Sequence, residues 1–105
     1  IEENSIVKVF NGRGALLAGV HLTQDILPGV VQMSTGAWYD PLDQQEGQPL
    51  DKHGNPNVLT QDSGSSRLGQ GCSAQTCFVE IALYQQPLPE ITAWLPPAFV
   101  AWSAE

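Results

Sequence analysis

The sequence predicts a small, mainly β domain with long irregular loops, and three observations carry this. Ile6-Val7-Lys8-Val9-Phe10 is an apolar, β-branched run, and residues 16–23 alternate with a period of two. Asn11-Gly12 stands between these stretches, the strongest short signal for a hairpin. Ten Gly and eight Pro in 105 residues favour turns over long helices. The length is that of one domain.

The first strand spans the 6–10 run and turns at Asn11-Gly12-Arg13-Gly14. On the return strand Leu16, Ala18, Val20 and Leu22 face one way, and Leu17, Gly19, His21 and Thr23 the other. Asp25–Gly29 is a second turn, and Val30-Val31-Gln32-Met33-Ser34 is a third strand. Residues 36–75 hold neither a helical nor a strand period. Structureless stretches of that length inside a compact domain are uncommon unless functional or disordered. Trp38, Tyr39, His53 and several Asn favour function. Cys77–Tyr84 reads as a fourth strand that begins on a buried cysteine. Residues 85–105 carry four prolines with Trp94 and Trp102, and read as an arm with a short helical turn after Pro97. The division is therefore a β domain over 1–84 and an arm over 85–105.

Charge narrows the function classes. Four Lys and Arg against eleven Asp and Glu give −7, and four unclustered cations do not form a phosphate-neutralising surface, so nucleic acid is not an expected partner. The apolar stretch from Ile91 to Trp102 is broken by Pro96-Pro97 and too short to span a bilayer. The start, Ile1-Glu2-Glu3-Asn4, lacks the features of a secretory leader.

Catalytic templates are largely absent. Gly64-Ser65-Ser66-Arg67-Leu68-Gly69 lacks the G-x-S-x-G spacing, and neither G-x-G-x-x-G nor a P-loop occurs. A Ser66–His53–Asp40 set or a His53–Asp51–Asp62 metal site has suitable residue types, but in a Gly/Pro-rich loop these read as solvated turn residues. No catalytic and no metal-binding residue is assigned. Cys72 and Cys77 are not spaced as C-x-x-C; they are two free thiols or one disulfide. Two loop strings stand out: Ser34-Thr35-Gly36-Ala37-Trp38-Tyr39-Asp40-Pro41 and His53-Gly54-Asn55-Pro56-Asn57-Val58-Leu59-Thr60. Neighbouring aromatics offer a stacking platform, Asn amides pair with the edge of a heterocycle, and glycines admit a ligand close to the backbone. The alternative is that Trp38 and Tyr39 anchor the loop to the core.

Both strings, with Val7–Gly14, Leu27–Gln32, Ser66-Arg67-Leu68, Gly71–Thr76 and Val79-Glu80-Ile81, run in the order of the C-terminal molybdopterin-dinucleotide-binding domain of the dimethyl-sulfoxide-reductase family. The sequence resembles the trimethylamine-N-oxide and biotin-sulfoxide reductase branch over about three-quarters of its length. The Gly-Ala-Trp-Tyr-Asp-Pro and His-Gly-Asn-Pro-Asn-Val-Leu-Thr strings are the specific part of the resemblance.

This resemblance implies a double-psi β-barrel, incomplete because such domains have about thirty further residues upstream with an additional strand. It implies a domain that holds the guanine-dinucleotide end of bis-molybdopterin guanine dinucleotide, with Trp38 and Asn57 as cofactor contacts, Gln75 facing the cofactor, and His53 and Tyr39 flanking them. Cys72 replaces a common proline, and Gln75 stands where relatives often carry His or Asn. The molybdenum ligand lies in another domain of such enzymes, so the chain alone is expected to hold no cofactor and catalyse nothing. The remaining domains of a periplasmic, or else cytoplasmic, reductase of N-oxides or S-oxides are its expected partners. The other class is a stand-alone double-psi binding or self-association module. In either, a missing strand would leave Val7–Phe10 or a neighbour on an open edge that invites a homo-oligomer.

Overall fold

The computed structural model describes residues 1–42, 50–71 and 75–102. The described residues are mainly sheet with almost no helix: strands β1 (Ile6–Phe10), β2 (Ala15–Gly19), β3 (Leu50–Asp51) and β4 (Glu80–Leu83), with one 3-10 turn at Pro56–Val58. The strands form one open sheet in the order β3-β2-β1-β4. The barrel closure that the resemblance implies is not seen among the described residues.

The β1–β2 hairpin forms where Asn-Gly predicts it, in register Phe10↔Ala15 to Ile6↔Gly19. Its mechanism differs from the expected one. Neither Asn11 nor Gly12 takes positive φ; instead Asn11 Oδ1 accepts from the N–H groups of Arg13 at 2.8 Å and Gly14 at 3.3 Å. The Asn11 amide nitrogen then donates to Leu59 O at 2.8 Å and Phe78 O at 3.1 Å, tying the turn to two distant segments. Gly14 is fixed by proximity: a Cβ there would lie 2.5 Å from Val58 O.

Alternation holds in β1, where Val7 and Val9 are buried. It fails in β2, where Leu16 and Leu17 are both buried. The core consists of Val7, Val9, Leu16 and Leu59, with Ala18, Val20, Met33, Val58 and Val79 packed on it. Leu17 lies on the other face, in a groove shared with Met33 and Gly54.

Three local expectations are corrected. Val30–Ser34 belongs to no strand of the sheet, whose members are β3, β2, β1 and β4. The last strand begins at Glu80, so Cys77 lies outside it and is exposed; Cys72 is outside the described residues. The turn in the arm is at 92–95, closed by Leu95 N–H on Thr92 O at 3.1 Å, and not after Pro97. β1 is paired on both sides, so the unpaired edge among the described strands falls on its neighbour β4; the outer side of β3 is met by residues 40–42, through Leu42 N–H on Leu50 O at 2.8 Å and Lys52 N–H on Asp40 O at 3.0 Å.

The accessible surface is 8623 Å², against roughly 5,700 Å² for a self-contained globule of this mass. The radius of gyration is 17.0 Å, against roughly 13 Å for a compact chain of about this length. The excess includes large apolar groups: Leu27, Phe78, Trp94, Phe99 and Trp102 are all exposed. No helix among the described residues is long and apolar enough to cross a membrane.

Candidate functional site

Two buried carboxylates shape the loops on which the candidate residues stand. Asp51, at the end of β3, is fully buried. Its Oδ1 accepts from the N–H of Asp40 at 2.8 Å and of His53 at 3.3 Å, and its Oδ2 from the N–H of Asn55. Three backbone donors of an irregular loop are thus satisfied by one side chain, as buried amides require. Between them Gly54 takes φ +88°, and a Cβ there would lie 3.3 Å from Leu17 O. Asn55 then caps the 3-10 turn: its Oδ1 accepts from Asn57 N at 3.0 Å, and Pro56 fills the first position, where no N–H is needed.

Asp40, also buried, reaches the arm. Its carboxylate accepts from Thr92 Oγ1 at 2.7 Å, Thr92 N–H at 2.6 Å and Ala93 N–H at 2.8 Å. Lys52 Nζ lies 3.6 Å away. Burial by itself would push the Asp40 carboxyl up, but the Thr92 hydroxyl, the Thr92 N–H, the Lys52 ammonium and the Ala93 N–H together hold it below the usual carboxylate range.

This gives a pH prediction. The folded protein holds Asp40 with the lower pKa, so between the folded and unfolded values the unfolded state binds more protons. The stabilisation is complete above the ordinary Asp value of about 3.9 and is lost as pH falls through the folded value. Titration below about pH 4 should release the arm and change tryptophan emission as Trp94 leaves its neighbours; in Asp40→Asn this acid transition should disappear. An identical transition in Asp40→Asn would assign it elsewhere.

The clamp seats Trp94 among residues singled out by sequence. Its ring centroid is 5.7 Å from that of Trp38, tilted 40°, and 4.9 Å from that of His53, edge to face at 82°. His53 Nδ1 lies 2.8 Å from Trp38 O. A carbonyl only accepts, so Nδ1 carries the hydrogen, and in the neutral ring Nε2 is left as an acceptor. Trp38 and Tyr39 are 63% and 50% exposed, so neither serves as the core anchor that was the alternative reading.

Trp38 and His53 are therefore brought together, with Trp94; Tyr39 stands beside Trp38 in the chain and is half-exposed. Asn57 is exposed on the 3-10 turn, four residues from His53, and Gln75 is exposed beside residues 72–74, which lie outside the described set. No hydrogen bond or ring contact among the described residues joins Asn57 or Gln75 to Trp38 or His53. Sequence reasoning missed Asp51 and Asp40 as loop organisers and Trp94 as a neighbour. An Asp two residues before His-Gly-Asn-Pro was the available signal for the first, because Asx side chains habitually satisfy nearby backbone N–H groups. Nothing local signals the Asp40–Thr92 pairing.

The donor set fits a planar heterocycle with an amide edge: exposed indole faces, a histidine acceptor and exposed carboxamides. It fits the charged linker of a dinucleotide less fully. Lys52 is tied to Asp40, Arg13 to Leu59 O and Gln61, and Lys8 lies over Phe10. Arg67 stands in the exposed loop 64–71.

The comparisons with known proteins agree with this chemistry. The family described as "Molydopterin dinucleotide binding domain" matches residues 1–78, and the chain belongs to that family. It is 46% identical over 101 residues to "Trimethylamine-N-oxide reductase" of Vibrio parahaemolyticus, covering 96% of this chain and 12% of that protein. It is 41% identical over 97 residues to "Dimethyl sulfoxide/trimethylamine N-oxide reductase" of Rhodobacter capsulatus, covering 92% and 12%. It is 46% identical over 92 residues to "Trimethylamine-N-oxide reductase 1" of Escherichia coli, covering 88% and 11%. The chain thus spans about 12% of the length of the curated relatives it matches.

Proposed function

We propose that the chain is the part of a molybdenum oxidoreductase that holds the guanine-dinucleotide end of bis-molybdopterin guanine dinucleotide, in an enzyme reducing N-oxides such as trimethylamine N-oxide, or S-oxides. The observation that carries this reading is the family match over residues 1–78. The names of the relatives support the substrate class. Trp38 offers an aromatic face to the guanine or pterin ring, Asn57 and Gln75 offer amide donors and acceptors, and His53 and Tyr39 flank them. When bound, the cofactor supplies the molybdenum at which the oxide is reduced; the residues of this chain bind and orient it.

On this reading the chain contributes part of a double-psi barrel over residues 1–84, with 85–105 as an arm. The β4 edge and exposed apolar groups meet the remaining domains of the reductase, which supply the molybdenum ligand and further charge for the diphosphate. The compartment we propose is the periplasm. The reading predicts that the full-length protein, purified from a host that makes the cofactor, carries guanine nucleotide and molybdenum and oxidises reduced viologen with trimethylamine N-oxide. The 105-residue chain alone should show no turnover above the buffer blank. A full-length protein without guanine nucleotide, or turnover by the isolated chain, would overturn it.

A further inference from the structure

Three observations place the arm at the candidate site, where sequence reasoning had put none of its residues. Asp40, adjacent to Tyr39, grips the backbone and side chain of Thr92 and the backbone of Ala93. Trp94 meets Trp38 and His53 ring to ring. Leu88 and Ile91 line, with Thr35, Lys52 and His53, a cleft of about 500 Å³. The arm is thus pinned against the 34–41 and 52–54 strings by a buried carboxylate and is not loosely draped across them.

The geometry of the three rings indicates what the corner takes. Trp38 and Trp94 touch at a tilt of 40° rather than lying flat on one another. Each remains about two-thirds exposed, at 63% and 67%. Two stacked indoles would cover each other's faces; these two are tilted and keep most of their surface exposed, and His53, set edge-on to Trp94, carries a polar ring at their side. Exposed indole surface beside a hydrogen-bonding imidazole suits a flat, polar, fused-ring heterocycle better than an aliphatic group.

We propose that Trp94 is a further binding residue of this site, its indole stacking with the guanine base that Trp38 also faces, at the mouth of the cleft that Leu88 and Ile91 of the arm line together with His53. This rests on the function proposed above and adds to it a residue and a segment beyond the family match at residues 1–78. Stacking of a base on an aromatic side chain is sequence-tolerant and lost on truncation to alanine. Phenylalanine should therefore restore much of what alanine removes.

The test uses the full-length protein produced without cofactor, titrated calorimetrically with guanosine 5′-diphosphate. Trp94→Ala should weaken binding about tenfold, within the range found for base–aromatic stacking. Trp94→Phe should stay within about threefold, and Trp94→Leu, which keeps bulk without a π face, should behave as alanine does. Thermal melts of the Phe and Leu variants should coincide, which separates stacking from support of the fold. Should Trp94→Ala bind as tightly as the parent while Trp38→Ala loses affinity, the inference is overturned and the proposed function stands. Equal affinity in the Leu and Phe variants overturns it too, since bulk alone would then suffice. If the parent protein binds no guanosine diphosphate, both this inference and the function beneath it fall.

Discussion

Asp51→Ala should destabilise the fold by about 3 kcal/mol, because removing a buried acceptor leaves its donors desolvated at about 1–3 kcal/mol each and part of that is recovered by local rearrangement. Three N–H groups, those of Asp40, His53 and Asn55, depend on that carboxylate. The damage should not be uniform. β1 and β2 retain their ladder, whereas the 50–57 loop loses its organiser, and with it the positions of His53 and Asn57. Asp51→Asn should fall between, since one amide oxygen still accepts the Asp40 and His53 N–H groups while the new NH₂ opposes that of Asn55. Urea unfolding gives the magnitude, and amide exchange at 53, 55 and 57 gives the location. A melt within experimental error of the parent would show that the loop is held by something other than Asp51.

Leu16→Ala should cost a similar amount, about 2–5 kcal/mol, the range for deleting a buried leucine. Among the described residues Leu16 is fully buried in the core with Val7, Val9 and Leu59, and Ala18, Val20, Met33, Val58 and Val79 pack around them. Leu27→Ala, at a position 76% exposed, should change the melt of the isolated chain little. If both variants melt alike, the hydrophobic centre has been misplaced.

How much of this was legible in the sequence follows from how local each determinant is. The β1–β2 hairpin was, since a β-branched run, Asn-Gly and an alternating return strand all lie within residues 6–23; only its mechanism differed, Asn11 acting through its side chain rather than through positive φ. The third strand was misread at Val30–Ser34 because β-propensity says nothing of whether a partner edge is available. The pairing of β3 with β2 is parallel and rests on only two residues, too short for any period to announce. At the candidate site, the aromatic, glycine and asparagine content of the two strings was plain. What joins them was less so: Asp51 acts on backbone N–H groups, which only its spacing before His-Gly-Asn-Pro signals, and Asp40 reaches across 52 residues to Thr92, which nothing local signals. Gln75 remains apart from Trp38 and His53 in this structure, and its part in the site stands on the resemblance alone.

The strings around Trp38 and Asn57 either hold a dinucleotide or merely shape a loop. The direct measurement is the molybdenum and guanine-nucleotide content of the purified full-length protein carrying Asn57→Ala, beside its thermal melt. Asn57 is exposed and its backbone, rather than its side chain, makes the turn contacts with Asn55 and Thr60, so the melt of cofactor-free protein should be nearly unchanged. A buried hydrogen bond to ligand left unmade costs about 1–3 kcal/mol, so cofactor affinity should fall by roughly one to two decades, at about 1.4 kcal/mol for each tenfold. Full cofactor content in Asn57→Ala, or a lowered melt with no loss of cofactor, would make Asn57 a structural turn residue and contradict the account.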